Sequence, residues 1–196
     1  MFVVVEGIEG SGKSTLVAGL TARLKTQKKD VVATREPGGT QLGDAVRAIF
    51  LDRTCSIEPL AEAFLVNAAR AQHVEQVIRP ALASGGVVLC DRFTDSTLAY
   101  QGYGRGMDIE LLRALCDFAT GGVEPDVVLL VDLPVSAARA RLGDRAGVPD
   151  RIENEGDGFH ERVRRGFLEL ARGPRHRVLD GALPPDRLLE EALRRL

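Results

Sequence analysis

The sequence predicts an α/β protein in which a parallel sheet is covered by helices on both faces. Three observations predict it. Short β-branched, apolar runs alternate along the chain with segments of helical periodicity. Those runs are apolar nearly throughout rather than alternating with polar residues, as strands buried on both faces must be. The first run also leads directly into a glycine-rich loop and a helix, in "FVVVEGIEGSGKST".

Taken in order, the first strand is 2–6, FVVVE. Its apolar run stops at Glu6 and no basic segment precedes it, so it reads as a buried strand and not as an export signal. A helix over 14–28 follows, with Leu16, Leu20 and Leu24 at helical spacing. Lys25, Lys28 and Lys29 collect near its C-terminal end, where the helix dipole favours cations. Further strands are expected at 31–34, 87–91, 126–133 and 176–180, and further helices at 41–52, 59–84, 108–120, 135–142, 158–172 and 185–195. Alternation of this kind makes βαβ units and a doubly wound sandwich. The segment 142–158, LGDRAGVPDRIENEGDG, is rich in glycine and charge and has little apolar content to anchor it. It is expected to be a flap, a lid over a site.

A chain of 196 residues is one domain on the simplest reading, 1–196, and long enough to bury a substantial core. Its 44% hydrophobic and 28% charged content is ordinary for a globular protein. A net charge of -2 offers no overall attraction for nucleic acid or for a membrane, so neither is expected as a partner and any cationic function is local. Cys55, Cys90 and Cys116 are odd in number and lack metal-type spacing, which suits free thiols in a reducing compartment. No apolar stretch approaches the roughly 20 residues that cross a bilayer. The cytoplasm is the expected location.

Gly7, Gly12, Lys13 and Ser14 satisfy the pattern G-x-x-x-x-G-K-[ST], with a strand before it and a helix after it. Glycines allow successive backbone N–H groups to turn towards phosphate oxygens, and the following helix presents its positive end. The loop residues Gly7, Ile8, Glu9, Gly10, Ser11, Gly12, Lys13, Ser14 and Thr15 are therefore candidates for binding a nucleoside triphosphate. In such a loop the lysine reaches the β- and γ-phosphates and the serine hydroxyl ligates Mg²⁺. The chain has no NKxD segment of the kind that reads guanine. A small kinase remains, and it must hold an acceptor with a second set of residues. Asp91 and Arg92 close a predicted strand at its C-terminal end, where open α/β sheets place ligands.

Several segments together carry a resemblance: EGIEGSGKST, TREPGGT (34–40), AARAQHVEQVIRPAL (68–82), DRFTDSTLAYQG (91–102), PDVVLLVDLP (125–134), DRIE (150–153) and FHERVRRGFLELA (159–171). In this order they resemble the thymidylate kinase family nearly end to end. The resemblance implies a P-loop nucleoside monophosphate kinase with a five-stranded parallel sheet in the order 2-3-1-4-5 and a lid. It also implies transfer of the ATP γ-phosphate to dTMP with Mg²⁺, and a homodimer formed through the helices around 59–84 and 108–120.

The resemblance further assigns roles. Arg92 grips the dTMP phosphate, Asp91 and Ser14 serve Mg²⁺, and Arg70 meets a thymine carbonyl. Thr97 reads the N3 edge of the base, with Ser96 beside it and Gln101 adding to base recognition. Tyr100 lies under the sugar and fills the space of a 2′-hydroxyl. Arg35 and Glu36 wall the acceptor phosphate and sugar, Arg47 is an acceptor-site arginine, and Pro37 is expected to be cis as in relatives. Glu9, a carboxylate inside an anion-binding loop, faces the acceptor 3′-hydroxyl.

This P-loop contains no arginine, so cations for the transferred phosphoryl group are expected from the lid, and the resemblance to bacterial members puts Arg151 of DRIE foremost, then Arg145, with Arg141 towards ATP. One position departs from the family. Relatives carry a stacking Phe where Val66 stands, and Phe64, about 200° away around a helix, cannot replace it. Two alternatives stay open here: a kinase for another nucleotide, such as dUMP or a purine monophosphate, and a nucleotide-responsive binding protein without turnover.

Overall fold

The strands Phe2–Glu6 (β1), Val31–Arg35 (β2), Val87–Asp91 (β3), Val127–Asp132 (β4) and His176–Asp180 (β5) form one parallel sheet in the order β2-β3-β1-β4-β5. This arrangement comes from a computed structural model that describes residues 1–27, 30–143 and 148–196. Lys28, Lys29 and Arg145 lie outside the described residues.

Burial follows strand position. All of β1 is buried, whereas β2 and β5, at the two edges, alternate with exposed residues. Near-continuous apolarity is thus a property of the inner strands. Val3 and Val5 pack on one face with Leu16, Leu20 and Leu24 of the helix Lys13–Thr26 (α1). Leu188 and Ala192 of the C-terminal helix Pro185–Arg195 join the same cluster. Phe2 and Val4 point to the other face, against Val74, Ile78 and Phe93.

The helices Gln41–Leu51 (α2) and Pro59–His73 (α3) follow β2. The long helix expected over 59–84 is continuous in path but changes pitch. Val74–Ile78 is a π-helical turn, in which the N–H of Arg79 reaches back to Val74 O, and a short helix Arg79–Ala83 (α4) completes it. Pro80 offers no N–H to the carbonyl four residues earlier, so the ladder shifts its register beside it.

A second helical stretch was not among the expected elements. Thr94–Thr97 (α5) runs into a π-helical segment, Leu98–Gly104, followed by Ile109–Thr120 (α6). Gly102 and Gly104 make this region read as loop, since glycine disfavours helix. The remaining helices are Val135–Gly143 (α7), Asp157–Leu170 (α8) and Pro185–Arg195 (α9).

The π segment packs closely on α8. A Cβ on Gly166 would lie 2.6 Å from the ring of Tyr103, so only glycine permits this approach. The contact presses Tyr100 against Phe159 and Phe167 and positions one wall of the cleft. Gly166→Val is expected to lower unfolding free energy by about 1–3 kcal/mol through overpacking, despite its better helix propensity. Urea denaturation of the variant checks this.

Candidate active site

The loop between β1 and α1 folds as a cradle. Gly7 has φ 142°, and a Cβ there would sit 2.5 Å from Val131 O. The chain turns again at Gly12, with φ 105°, and α1 begins at Lys13. Lys13 folds back so that Nζ donates to Ile8 O at 2.8 Å. Burial, and next the neighbouring Arg92 charge, push its pKa down to about 8.

A pocket opens on this cradle, lined by Gly10 to Leu16, by Arg141 and Leu142, and by Gly181 to Pro185. Arg141 Nη1 donates to Ser11 O at 3.4 Å, so this arginine lies where the sequence placed it, beside the cradle. The loop 181–185 was missed. Its only signal is GALPP directly after a strand, at the sheet edge where ligands collect.

A second pocket shares Gly10, Lys13 and Ser14 with the first and extends to the far side of the loop. Arg92 stands at its centre in a left-handed conformation, φ 74°, rare for a residue with a side chain. Its guanidinium donates to Gly7 O (2.9 Å), Ser96 Oγ (3.1 Å), Tyr100 Oη (3.1 Å) and Glu9 Oε1 (2.7 Å). The turn after it is pinned by Glu6, whose carboxylate accepts from Phe93 N, Ser96 N and Ser96 Oγ. Burial, with Asp95 adding to it, lifts the Glu6 pKa to about 7.

Glu9 faces this second pocket, away from the cradle. Tyr100 Oη donates to it at 2.6 Å, and His160 Nδ1 lies 3.7 Å from its other oxygen. Burial alone would raise its pKa, but Arg92, Lys13 and the tyrosine hydroxyl outweigh that and hold it below the ordinary carboxylate value. An acid is tolerated in this loop because it is turned to the cationic side.

Arg35 and Arg47 line the same pocket. The Arg47 pKa is lowered by burial and then by the charges of Arg35 and Arg92, with Asp91 and Asp150 opposing the shift. Arg47 Nη1 also donates to Pro37 O at 3.2 Å, and the Glu36–Pro37 peptide is cis, as expected.

Deeper in, Arg70 is buried and held by Glu36 Oε2 (2.8 Å), Asn67 Oδ1 (2.9 Å), Cys116 Sγ (3.4 Å) and Phe93 O (3.0 Å). All but one of its N–H groups are thereby used within the protein, leaving one on Nη2 for a ligand. Glu36 Oε1 is paired with His73 Nδ1 at 2.9 Å, and His73 Nε2 reaches Thr34 Oγ1 at 2.7 Å. Val66, Phe93, Thr97 and Gln101 complete this end. Val66 faces the pocket, whereas Phe64 is 55% exposed on the outside of α3 and takes no part.

Arg151, the foremost of the expected lid arginines, is held by the protein's own groups. Arg151 is not among the residues lining either pocket. Its Nη1 is bonded to Glu62 Oε1, its Nε donates to Phe50 O at 2.9 Å, and its guanidinium lies over the Phe50 ring. Its Nη2 has no hydrogen-bond partner among the described residues. Nor is the whole segment unanchored: Ile152 is buried in a core cluster with Phe50, Tyr100 and Phe159. Arg139 is held by Glu155 O and Asp157. Arg145 falls outside the described residues.

Where the pockets meet, Ser14 Oγ donates to Asp91 Oδ2 at 2.8 Å. A parallel five-stranded sheet with a phosphate cradle at the carboxyl end of its central strand and a cation-lined pocket beyond it defines a P-loop nucleoside monophosphate kinase. Comparison with known proteins narrows this. A family model described as thymidylate kinase matches residues 5–192. The thymidylate kinase of Desulfovibrio desulfuricans is 54% identical over 195 residues, covering 95% of this chain and 90% of the relative. That of Deinococcus radiodurans is 49% identical, covering 97% and 93%. The crystal structure of thymidylate kinase from Ehrlichia chaffeensis superposes with a TM-score of 0.81 at 33% identity, covering 99% of this chain and 97% of that one. The chain belongs to the thymidylate kinase family.

Lys13 yields a pH prediction. It is cationic below about pH 8 in the free protein and loses its proton above it, and the opposite charge of a bound triphosphate would hold the proton on. Calorimetric affinity for ATP should therefore weaken by about tenfold per pH unit above that value, and Lys13→Met should remove this dependence. A flat profile between neutral and alkaline pH would contradict it.

Proposed function

We propose that this chain transfers the γ-phosphate of ATP to dTMP, giving dTDP and ADP. Family membership supports it, and one structural observation carries it: the two pockets meet across Gly10, Lys13 and Ser14, so two nucleotides can lie with their phosphates facing. ATP takes the cradle, with its base end towards Gly181 to Pro185. The dTMP phosphate takes the cluster of Arg35, Arg47 and Arg92, and its base goes to Arg70, Val66, Thr97 and Gln101. Tyr100 and Glu9 lie between, beside the sugar.

In the reaction an oxygen of the acceptor phosphate attacks the γ-phosphorus, and the bond from that phosphorus to the β-bridging oxygen breaks as ADP leaves. The nucleophile is already an anion, so no general base is required. The chain's part is positioning and charge. Lys13 and Arg92 neutralise the two nucleotides from opposite sides of the loop, and Arg141 supplies a further cation on the ATP side.

Ser14 and Asp91 fit Mg²⁺, since one hydroxyl and one carboxylate beside phosphate oxygens and water suit a small, hard cation. When bound, Mg²⁺ would draw charge from the β- and γ-phosphates. We further read the chain as a single domain, 1–196, with 142–158 as its lid, acting in the cytoplasm.

A coupled assay of ADP release, run with ATP and magnesium across the nucleoside monophosphates, tests the assignment. The expected result is a kcat/KM for dTMP well above those for dGMP and CMP. The margin over dUMP should be smaller, because one methyl is worth only about 1–3 kcal/mol. Equal rates across the series would overturn the reading.

The proposed homodimer rests on the outer faces of α3 and α6. Leu60, Phe64, Leu111 and Phe118 are exposed there, Phe118 to 90%, and they repeat at helical spacing. An apolar face of this kind is expected to be covered by a second copy. Phe64→Asp combined with Phe118→Asp should shift sedimentation from dimer to monomer.

A further inference from the structure

Glu62 has no place in the assignments above, yet this one acid of α3 has no exposed surface. Its two oxygens receive four donors from three residues, two of them in the stretch 101–105 and one at 151. Oε2 accepts from Gln101 Nε2 at 3.0 Å and from Arg105 Nε at 3.2 Å. Oε1 accepts from Arg105 Nη2 at 3.0 Å and from Arg151 Nη1. Arg105 in turn holds Glu155 at 2.6 Å. Burial would raise the Glu62 pKa, but the bonds from Arg105, Arg151 and Gln101 outweigh it and keep the group ionised.

An ionised carboxylate has no hydrogen to give. The chemistry of Glu62 therefore decides which way the Gln101 amide is turned: its NH₂ must face the acid. No donor to Gln101 Oε1 is found among the described residues, and Gln101 lines the base end of the acceptor pocket. The pocket is offered an acceptor. A pyrimidine with hydrogen on N3 matches it, whereas cytosine, with a lone pair on N3, does not.

We propose that Glu62 is a positioning residue for base selection. It locks Gln101 with its carbonyl towards the base, and the same carboxylate clamps the lid root through Arg151. This rests on the dTMP reading above and extends it to a residue that touches no substrate.

Two variants test it through the ratio of kcat/KM for dTMP to that for dCMP. Glu62→Gln keeps the shape but can meet the Gln101 amide in either orientation, so the ratio should fall at least about tenfold, chiefly through KM. Gln101→Met removes the acceptor and leaves Glu62 with both arginines, and should lower the ratio similarly. In the double variant the effect of Glu62→Gln on the ratio should vanish, because its route is gone. A general loss of packing would instead lower both substrates together and leave the ratio alone.

Glu62→Gln with an unchanged ratio, or with an undiminished effect in the Gln101→Met background, overturns the proposal. If Glu62→Gln does not fold, an unchanged ratio in Gln101→Met overturns it alone, and a fall in that ratio supports it. A wild-type chain that phosphorylates dTMP while the variants leave the ratio unmoved removes this inference only. A wild-type chain inactive on dTMP removes the dTMP reading as well.

Discussion

Arg92 is the residue on which the cleft depends. It joins the cradle to the acceptor pocket, and it does so from a backbone conformation that costs a residue with a side chain about 1–3 kcal/mol. The conformation persists because its surroundings over-determine it. Its backbone N–H donates to Val5 O, its carbonyl accepts from Cys90 Sγ, and Glu6 pins the next turn. The side chain is then aimed at Gly7 O and Glu9, so its position is settled before any phosphate arrives. In the proposed role of phosphate-binding cation, a side chain arranged in this way need not reorganise on binding, which is where electrostatic catalysis has its advantage.

The same device recurs deeper in the molecule. Arg70 is tied to Glu36 and thence to His73 and Thr34, and Glu62 gathers Arg105, Arg151 and Gln101. Isolated charges in these positions would be severely penalised, so each is paired and hydrogen-bonded. Such pairs contribute little net stability, because desolvation offsets much of the attraction. Their effect is geometric. A guanidinium with most of its donors committed presents what is left in one direction, and a carboxylate with all its lone pairs engaged dictates the orientation of its neighbours.

Much of the fold was legible because each element carries its own local signal. The apolar run of β1, the glycines of the loop and the leucine spacing of α1 needed no tertiary context. The P-loop, Asp91 and Arg92 could be read because their spacing is contiguous in the chain. The π-helical segment Leu98–Gly104 was not legible, since Gly102 and Gly104 argue against helix locally and only packing on α8 makes them useful there. Arg151 was read as catalytic from the resemblance of DRIE to the family's lid, in a charged, glycine-rich run. Nothing in that run shows that its partner is Glu62, 89 residues away.

By itself, then, the sequence determined the α/β class, the glycine-rich loop, the family and many of the residues that line the second pocket. Those follow from local periodicity and from motifs in which neighbours in the chain are neighbours in space. Only the tertiary structure decided which charge answers which. Glu9 went to Arg92 and Tyr100, Arg70 to Glu36, and Arg151 to Glu62. The physical reason is that a charge pairs with whatever opposite charge the fold brings within hydrogen-bonding distance, and separation along the chain does not report that distance.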